Sequence, residues 1–298
     1  MLGVTKYDSE PYQRNSVGFA VIDILNGNCV DVMKKLPEKY FNTVVTSPPY
    51  WGLRDYGTDK QLGLENTPEE FVKNLLKVFK EVKRVLKDDG TLWLNLGDSY
   101  SGHCSRASNN GRAGFGNKRE GVFLKTGKGL KAKDLVGMPW RVAFALQEDG
   151  WYLRQDIIWH KPNPMPESVK DRCTKAHEYI FLLSKNSHYY FDHEAIQEEA
   201  NQDLETKNKR SVWTVNTKPF KEAHFAVFPT DLIEPCIKAG SPEDGNVLDP
   251  FGGSGTTGLV ADRLNRNATI IELNKDYVQI AEKRIYGDAP LFTEVNLK

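Results

Sequence analysis

The chain has 298 residues, of which 39% are hydrophobic, so it can form one large α/β domain with an insertion or two ordinary domains. Its 40 lysines and arginines balance 40 aspartates and glutamates, which excludes binding of nucleic acid by bulk charge and requires a local basic patch instead. No apolar run approaches the roughly 20 residues that span a bilayer, and the first residues lack the apolar core of a signal peptide. We therefore expect no membrane contact.

The four cysteines, Cys29, Cys104, Cys173 and Cys236, stand far apart and form no C-x-x-C motif. This usage is typical of free thiols in a reducing compartment, and it favours neither a disulfide framework nor a zinc site. The sequence thus predicts a cytoplasmic protein without a bound metal.

Strand and helix patterns alternate from residue 20 onward. The predicted strands are VIDIL (21–25), FNTVVT (41–46), TLWLNL (91–96), YLRQDIIW (152–159), EYIFLLS (178–184), NVLDPF (246–251) and ATIIEL (268–273). The predicted helices lie near 29–36, 68–86, 139–150, 231–240, 255–264 and 277–285. Strands separated by helices predict a parallel sheet with both faces covered.

The helix over 68–86 has the clearest limits. Thr67 can cap its start, Pro68 suits the first helical position and Glu70 completes a capping box. Asp88, Asp89 and Gly90 are expected to end it.

Two segments break this alternation. Residues 101–135 hold eight lysines and arginines, two acidic residues and seven glycines, a composition that follows phosphates better than it packs a core. Residues 186–218, which contain KNKRSVWT, form a second irregular region and a candidate target-recognition segment. Both are predicted as parts of a single catalytic domain over 1–298.

NVLDPFGGSGTTG is typical of a strand, a tight loop and a helix, in which Gly253, Gly255 and Gly258 satisfy G-x-G-x-x-G. Glu272 ends the next strand 17 residues after Gly255, where a carboxylate can bind a ribose diol. Asp249 opens the loop, and a carboxylate facing the site repels a pyrophosphate but attracts a cation. S-adenosylmethionine therefore fits better than NAD, although a nicotinamide oxidoreductase stays open as the competing class.

The position of this loop near the end of the chain is unusual. Only 26 residues follow Glu272, so the other strands of the sheet must come from the N-terminal part, in circularly permuted order. TSPPYW (46–51) contains two prolines, which end the strand before it. This turn should close the strand beside the glycine-loop strand, and because ligands bind where strand order switches, turn and loop should share one crevice.

The chain resembles the β-type amino-methyltransferases of DNA, which methylate N4 of cytosine or N6 of adenine. The resemblance covers nearly the whole length, through GNCVDVM, TSPPYWGLRDYG, GTLWLNLGDSY, DIIWHKPNPMP, HEYIFLLSK, HFAVFP, VLDPFGGSGTTG and IIELNKDY. It implies a Rossmann-like α/β methyltransferase sheet, mostly parallel with seven strands, circularly permuted, with an inserted loop and a small target-recognition region.

The resemblance also implies roles for the motif residues. Tyr50 would stack on a base flipped out of the DNA helix, while the Ser47 side chain and the Pro48 carbonyl would accept hydrogen bonds from its amino group. The catalytic set is Ser47, Pro48, Pro49 and Tyr50. The implied cofactor set is Asp249, Pro250, Phe251, Gly253, Gly255, Thr256, Glu272, Phe228, Pro229 and Asn28, the last standing where the family often has an acidic residue. The predicted DNA-binding residues are Trp51, Arg54, Arg106, Arg112, Lys118, Arg119, Lys125, Lys128 and Lys161.

These features predict transfer of a methyl group from S-adenosylmethionine to double-stranded DNA. Serine before the prolines favours cytosine N4 over adenine N6 in this resemblance. A covalent cytosine-C5 mechanism through Cys236 is disfavoured, because Leu232, Ile233, Cys236 and Ile237 have helical spacing and indicate a structural cysteine. A DNA-binding module without catalysis is the third interpretation.

A cognate restriction endonuclease is an expected partner, and the chain is expected to be a monomer or a homodimer.

Overall fold

The computed structural model describes residues 19–53, 61–101, 130–200, 206–218, 228–288 and 294–298. Nine strands in this part of the chain form one sheet. They are β1 (Val21–Asn26), β2 (Phe41–Thr46), β3 (Leu86–Leu96), β4 (Tyr152–His160), β5 (His177–Ser184), β6 (Val212–Thr214), β7 (Asn246–Asp249), β8 (Asn267–Glu272) and β9 (Glu294–Leu297).

Six α-helices and one short 3₁₀ helix accompany the sheet in the described residues. The helices are α1 (Cys29–Met33), α2 (Pro68–Val85), α3 (Met138–Glu148), α4 (Thr230–Gly240), α5 (Thr256–Arg263) and α6 (Lys275–Asp288), and the 3₁₀ turn covers Glu194–Ile196. Among the described helices we find none with the length and apolar character needed to cross a membrane.

The sheet order is β6-β4-β5-β3-β2-β7-β8-β1-β9. Of these strands only β5 runs against its neighbours, so the sheet is mostly parallel. The permutation is confirmed, because β7 and β8 from the C-terminal part lie between β2 and β1. The seven predicted strands are all present, and two short edge strands extend them. One of these, β6, comes from the 186–218 segment.

Helices cover both faces of the sheet, as the strand composition requires. Neighbouring residues of a strand point to opposite faces of the sheet, so an apolar run such as Leu92, Trp93 and Leu94 contributes side chains to two hydrophobic cores. The first core contains Leu92 and Leu94 together with residues of α1, α2 and α3. The second core contains Trp93 together with residues of α4, α5 and α6. The result is a three-layer α/β/α domain.

The start of α2 follows the prediction but its end does not. Thr67 Oγ1 accepts a hydrogen bond from the Glu70 N–H at 3.1 Å, as expected for the N-cap. The helix ends at Val85, and Leu86 already pairs with Phe41 in the sheet. The prediction that Asp88, Asp89 and Gly90 end the helix is wrong. They lie inside β3, at an irregularity of the β2–β3 pairing, because the fully buried Leu86 draws the chain into the sheet early.

Candidate active site

The proline turn and the glycine loop leave the same edge of the sheet. The turn follows β2 and the loop follows β7, and these strands are parallel neighbours with Val44 opposite Leu248. Parallel neighbours place their carboxyl ends side by side. Turn and loop therefore leave the sheet side by side, as the prediction of a shared crevice requires.

Asp249 connects the proline turn and the glycine loop inside the fold. It is 1% exposed, and its carboxylate accepts hydrogen bonds from the Thr46 and Thr257 hydroxyls, each at 2.6 Å. Phe251 N–H donates a third, at 3.0 Å. Burial raises the pKa of Asp249, while these hydrogen bonds lower it in part. Asp249 therefore ties the strand before Ser47 to the helix after the loop.

This position changes the electrostatic argument made from the sequence. Asp249 was expected to face the cofactor and to attract its cationic centre. In the structure both its oxygens point to protein hydroxyls inside the fold. The carboxylate beside the open side of the loop is that of Glu272.

Two glycines give the loop its shape. Gly253 and Gly255 have φ values of +51° and +77°, in the left-handed region that favours glycine. A Cβ on Gly255 would lie 2.8 Å from the Ala281 Cβ, so α6 leaves no space for a side chain there. A Cβ on Gly253 would meet nothing nearer than the Phe251 carbonyl oxygen at 3.9 Å. Open space therefore lies directly against the backbone at Gly253.

Glu272 closes the same space from β8. Its carboxylate accepts hydrogen bonds from Gly253 N–H at 2.8 Å and from Asn274 N–H at 2.7 Å. Burial, and to a lesser degree the nearby Asp249 carboxylate, raise its pKa. A glycine backbone and a carboxylate around one open space fit a nucleoside with a ribose diol.

Arg284 of α6 holds the loop from behind. Its guanidinium donates to the Ser254 carbonyl at 3.2 Å, to the Ser254 hydroxyl at 2.9 Å and to the Thr256 hydroxyl at 2.8 Å. Thr256 is 2% exposed and directs its hydroxyl to this arginine. Thr256 therefore supports the loop by fixing the start of α5, where its hydroxyl accepts the hydrogen bond from Arg284.

Tyr50 lies at the carboxyl end of β2 and reaches across β3 to β5. Its hydroxyl donates to Glu178 Oε2 at 2.7 Å, and Asn95 Nδ2 donates to the same oxygen at 3.2 Å. Lys161 pairs with the other oxygen of Glu178 and stacks over the Trp159 ring, 4.1 Å from its centroid. Lys161 was predicted to bind DNA, and its charge is already compensated by Glu178 in this structure.

The structure corrects the role predicted for Trp51. Its side chain is 2% exposed, lies in the first core and donates from Nε1 to the Glu65 carbonyl at 2.9 Å. A buried indole offers no surface to DNA, so its assignment as a DNA-binding residue is wrong for this fold.

Three residues of the predicted cofactor set make structural contacts of their own. Asn28 caps α1 and accepts hydrogen bonds from Val30 N–H at 3.0 Å and Asp31 N–H at 3.4 Å. Pro229 occupies the N-cap position of α4, and Phe228 packs against the second core. The remaining predicted DNA contacts lie outside the described residues: Arg54, Arg106, Arg112, Lys118, Arg119, Lys125 and Lys128.

Cys236 is structural, as its helical spacing indicated. It is 1% exposed within the second core, and burial raises the pKa of its thiol far above the usual range. A thiol enclosed in the core cannot reach a DNA base, which argues against a covalent mechanism through this residue.

Glu178, Thr46 and Arg284 were not predicted from the sequence. Glu178 interrupts the apolar pattern near the start of β5, and Thr46 ends β2 as the first residue of TSPPYW. Arg284 stands three residues after Ala281 and one before Ile285, which both face the loop. That i, i+3, i+4 spacing was a usable signal.

A family model described as DNA methylase, of the N6/N4 methyltransferase group, matches residues 41–283. The chain belongs to the N6/N4 DNA methylase family. As a member of it, the protein is a DNA amino-methyltransferase that takes its methyl group from S-adenosylmethionine. This membership overturns the nicotinamide oxidoreductase alternative.

Relatives match this methylase along most of their length. The Type II methyltransferase M.Cfr9I of Citrobacter freundii is 50% identical over 284 residues, which cover 94% of this chain and 91% of that protein. The Type II methyltransferase M.SmaI of Serratia marcescens is 51% identical over 265 residues, covering 88% and 90%.

Solved structures share the fold of this methylase. The PvuII DNA methyltransferase, described as cytosine-N4-specific, has a TM-score of 0.68 at 22% identity, covering 93% of this chain and 95% of that one. A DNA modification methylase of Thermus thermophilus, complexed with S-adenosylmethionine, has a TM-score of 0.62 at 25% identity, covering 92% and 99%.

Proposed function

We propose that this methylase transfers the methyl group to N4 of cytosine in double-stranded DNA. The observation that carries the methyl-transfer part of the proposal is the joint made by Asp249, which fixes the strand before Ser47 against the glycine loop. Serine before the two prolines favours cytosine within the family resemblance. The PvuII enzyme, described as cytosine-N4-specific, is an example of this fold with that specificity.

Ser47, Pro48 and Tyr50 would hold the target base. An exocyclic amine conjugated with its ring is a poor nucleophile until its lone pair is directed at the methyl carbon. The Ser47 hydroxyl and the Pro48 carbonyl would accept its two N–H bonds and so orient the nitrogen, while the Tyr50 ring stacks on the base. Such positioning contributes several kcal/mol to lowering the reaction barrier.

The glycine loop would hold S-adenosylmethionine, which supplies an activated methyl group when bound. Glu272 would bind the ribose hydroxyls, and Phe251 with the backbone at Gly253 and Gly255 would line the seat. Asp249 and Pro250 are both buried, so they would act by shaping the start of the loop from within the fold.

The basic residues of 101–135 and Arg54 would contact phosphates, with 186–218 as the target-recognition segment. Each lysine or arginine that neutralises a phosphate releases a counterion, so affinity for DNA should fall as salt rises. Double-stranded DNA as substrate favours a cytoplasmic enzyme. The relatives are named Type II methyltransferases, which supports a restriction endonuclease of the same specificity as its partner in the cell.

The base is identified by methylating DNA with the purified enzyme and analysing the nucleosides by mass spectrometry. N4-methylcytosine is the expected product. N6-methyladenine as the sole product would overturn the choice of base and leave the amino-methyltransferase class intact.

The role of Ser47 is tested with Ser47→Ala. We expect a loss of about 10²–10³ in the methyl-transfer rate, because one of two acceptors that orient the amine is removed. Calorimetry with S-adenosylmethionine should give near wild-type affinity. Equal loss of both properties would mean that Ser47 supports the loop rather than the base.

A further inference from the structure

The Tyr50 side chain is fixed at its hydroxyl and along its ring. The hydroxyl donates to Glu178 Oε2 at 2.7 Å, a short distance typical of a charge-assisted hydrogen bond. The ring lies against Gly97, where a Cβ would stand 2.5 Å from Tyr50 Cε2 and 3.1 Å from Cζ. The residue at 97 therefore has to be glycine for the ring to keep this place.

Both carboxylate oxygens of Glu178 have further partners among the described residues. Asn95, which is 5% exposed, donates to the oxygen that receives the Tyr50 hydroxyl. Lys161 pairs with the second oxygen, and the side chains of Lys161 and Glu178 are each 16% exposed. Asn95 in turn donates to the Tyr179 carbonyl at 3.1 Å, which anchors the network to the backbone of β5.

Such an arrangement adds little net stability to a fold. The Coulombic attraction within a largely buried ion pair is about as large as the free energy that the two charges lose on desolvation. What it does provide is a carboxylate with one rotamer and one oxygen aimed at the tyrosine. A network of this kind restricts the orientation of the half-buried Tyr50 ring at the edge of the sheet.

We infer that Glu178, supported by Lys161 and Asn95, is a positioning residue that fixes the plane of the Tyr50 ring for stacking on the target base. The inference rests on the stacking role proposed for Tyr50. A ring free to rotate allows the base to rotate with it, so fewer complexes have the amine aligned. The methyl-transfer step slows, while the cofactor site, which lies on the other side of β2, is unaffected.

The test compares Tyr50→Phe, Glu178→Ala and the double variant in single-turnover methylation. Tyr50→Phe removes one oxygen and leaves Glu178 paired with Lys161 and Asn95. Loss of a hydrogen bond to a charged group predicts a rate about tenfold lower for Tyr50→Phe. In the Glu178→Ala background the same change should cost no more than about twofold, because the charged acceptor is already absent and a remaining contact, from the Tyr50 hydroxyl to Asn95 Oδ1, is longer at 3.4 Å.

Two further readouts separate positioning from a purely structural role. Glu178→Gln keeps one acceptor oxygen, which Tyr50 and Lys161 must share, so its rate should lie between wild type and Glu178→Ala. With 2-aminopurine at the target position, base flipping should still raise fluorescence in Tyr50→Phe, but with a broader distribution of lifetimes. Affinity for S-adenosylmethionine should stay at the wild-type value in every variant.

The outcomes distinguish this inference from the proposed function. If Tyr50→Ala methylates at the wild-type rate, the stacking role itself fails. If Tyr50→Ala is impaired but Tyr50→Phe matches wild type, or if the effects of Tyr50→Phe and Glu178→Ala are additive, the positioning role of Glu178 is overturned alone. Should Glu178→Ala not fold, the rate of Tyr50→Phe decides the question by itself.

Gly97→Ala offers an independent check from the opposite side of the ring. The added methyl group must displace the ring, so we expect slower methylation with unchanged cofactor affinity. Gly287→Ala is the matched control, since a Cβ there meets no atom within 4 Å. A wild-type rate in Gly97→Ala would show that the ring position does not limit the reaction.

Discussion

The glycine loop and the proline turn meet at one edge of the sheet, but they are held there by different means. Backbone conformation and close packing fix the loop, since Gly255 combines a φ of +77° with a space too small for a Cβ. Side-chain hydrogen bonds fix the turn, through Thr46 to Asp249 and through Tyr50 to Glu178. The proposed cofactor seat is thus a rigid backbone feature, and the proposed base seat depends on polar partners from distant strands.

This difference separates the consequences of mutation in the two regions. A side chain added at Gly255 cannot be accommodated, whereas a hydrogen bond lost at the turn leaves the backbone in place. Changes in the loop should therefore affect stability and cofactor binding first. Changes at the turn should affect the rate of methyl transfer first.

Gly255→Ala should give the largest effect. Alanine at positive φ is strained by about 1–2 kcal/mol, and contact with Ala281 adds ~1–3 kcal/mol of overpacking. We expect a loss of about 2–5 kcal/mol in the free energy of unfolding, with loss of S-adenosylmethionine binding, measured by urea unfolding and calorimetry. Gly287→Ala is the control and should be no less stable than wild type, because it lies within α6 and a Cβ there meets no atom within 4 Å. Wild-type stability in Gly255→Ala would contradict the steric account of the loop.

Asp249→Asn should give an intermediate effect on both regions, because it weakens the joint between them. An amide offers one acceptor oxygen where the carboxylate offers two, so one of the two threonine hydroxyls loses its partner. We expect about 1–3 kcal/mol of destabilisation near neutral pH, measured by urea unfolding, together with slower methylation and weaker cofactor binding.

The pH dependence of stability tests the same residue. The pKa of Asp249 is raised above its usual 3.8 in the folded protein, so its contribution to stability is fully present below pH 3.8 and decreases as pH rises through the folded pKa. Asp249→Asn should remove that decrease. Asp231→Asn is the matched control with the opposite sign, because hydrogen bonds from Lys218 and Thr230 lower the pKa of Asp231. Equal pH profiles for wild type and Asp249→Asn would contradict the buried, ionisable joint.

Arg284→Gln should give the smallest effect and should be confined to the loop. It removes the donor that reaches the Ser254 carbonyl and both hydroxyls, while the glycine conformations remain. We expect affinity for S-adenosylmethionine to fall roughly three- to tenfold, or ~1 kcal/mol, with little change in the rate at saturating cofactor. Arg263→Gln, which breaks an exposed pair with Asp288, is the control. A lower saturated rate with unchanged affinity would place Arg284 in the base seat instead.

Much of the fold followed from local patterns in the sequence. The period-2 and period-3.6 patterns located all seven predicted strands, and the proline pair and glycine motif marked the ends of β2 and β7. The boundary between α2 and β3 was misplaced, because the pairing of Leu86 with Phe41 overrides the acidic residues and glycine that follow. The edge strands β6 and β9 were missed, since three or four residues carry too little periodicity.

The sequence by itself determined the order of the elements, the permuted position of the glycine loop and the residues that end the two central strands, because these depend on steric limits of proline and glycine and on hydrophobic spacing. Only the tertiary structure decided which way the polar side chains point. Asp249 turns inward to two threonines, Trp51 lies in the core, and Glu178 meets Tyr50 from 128 residues away. Such contacts join residues that are remote along the chain, and no local pattern records them.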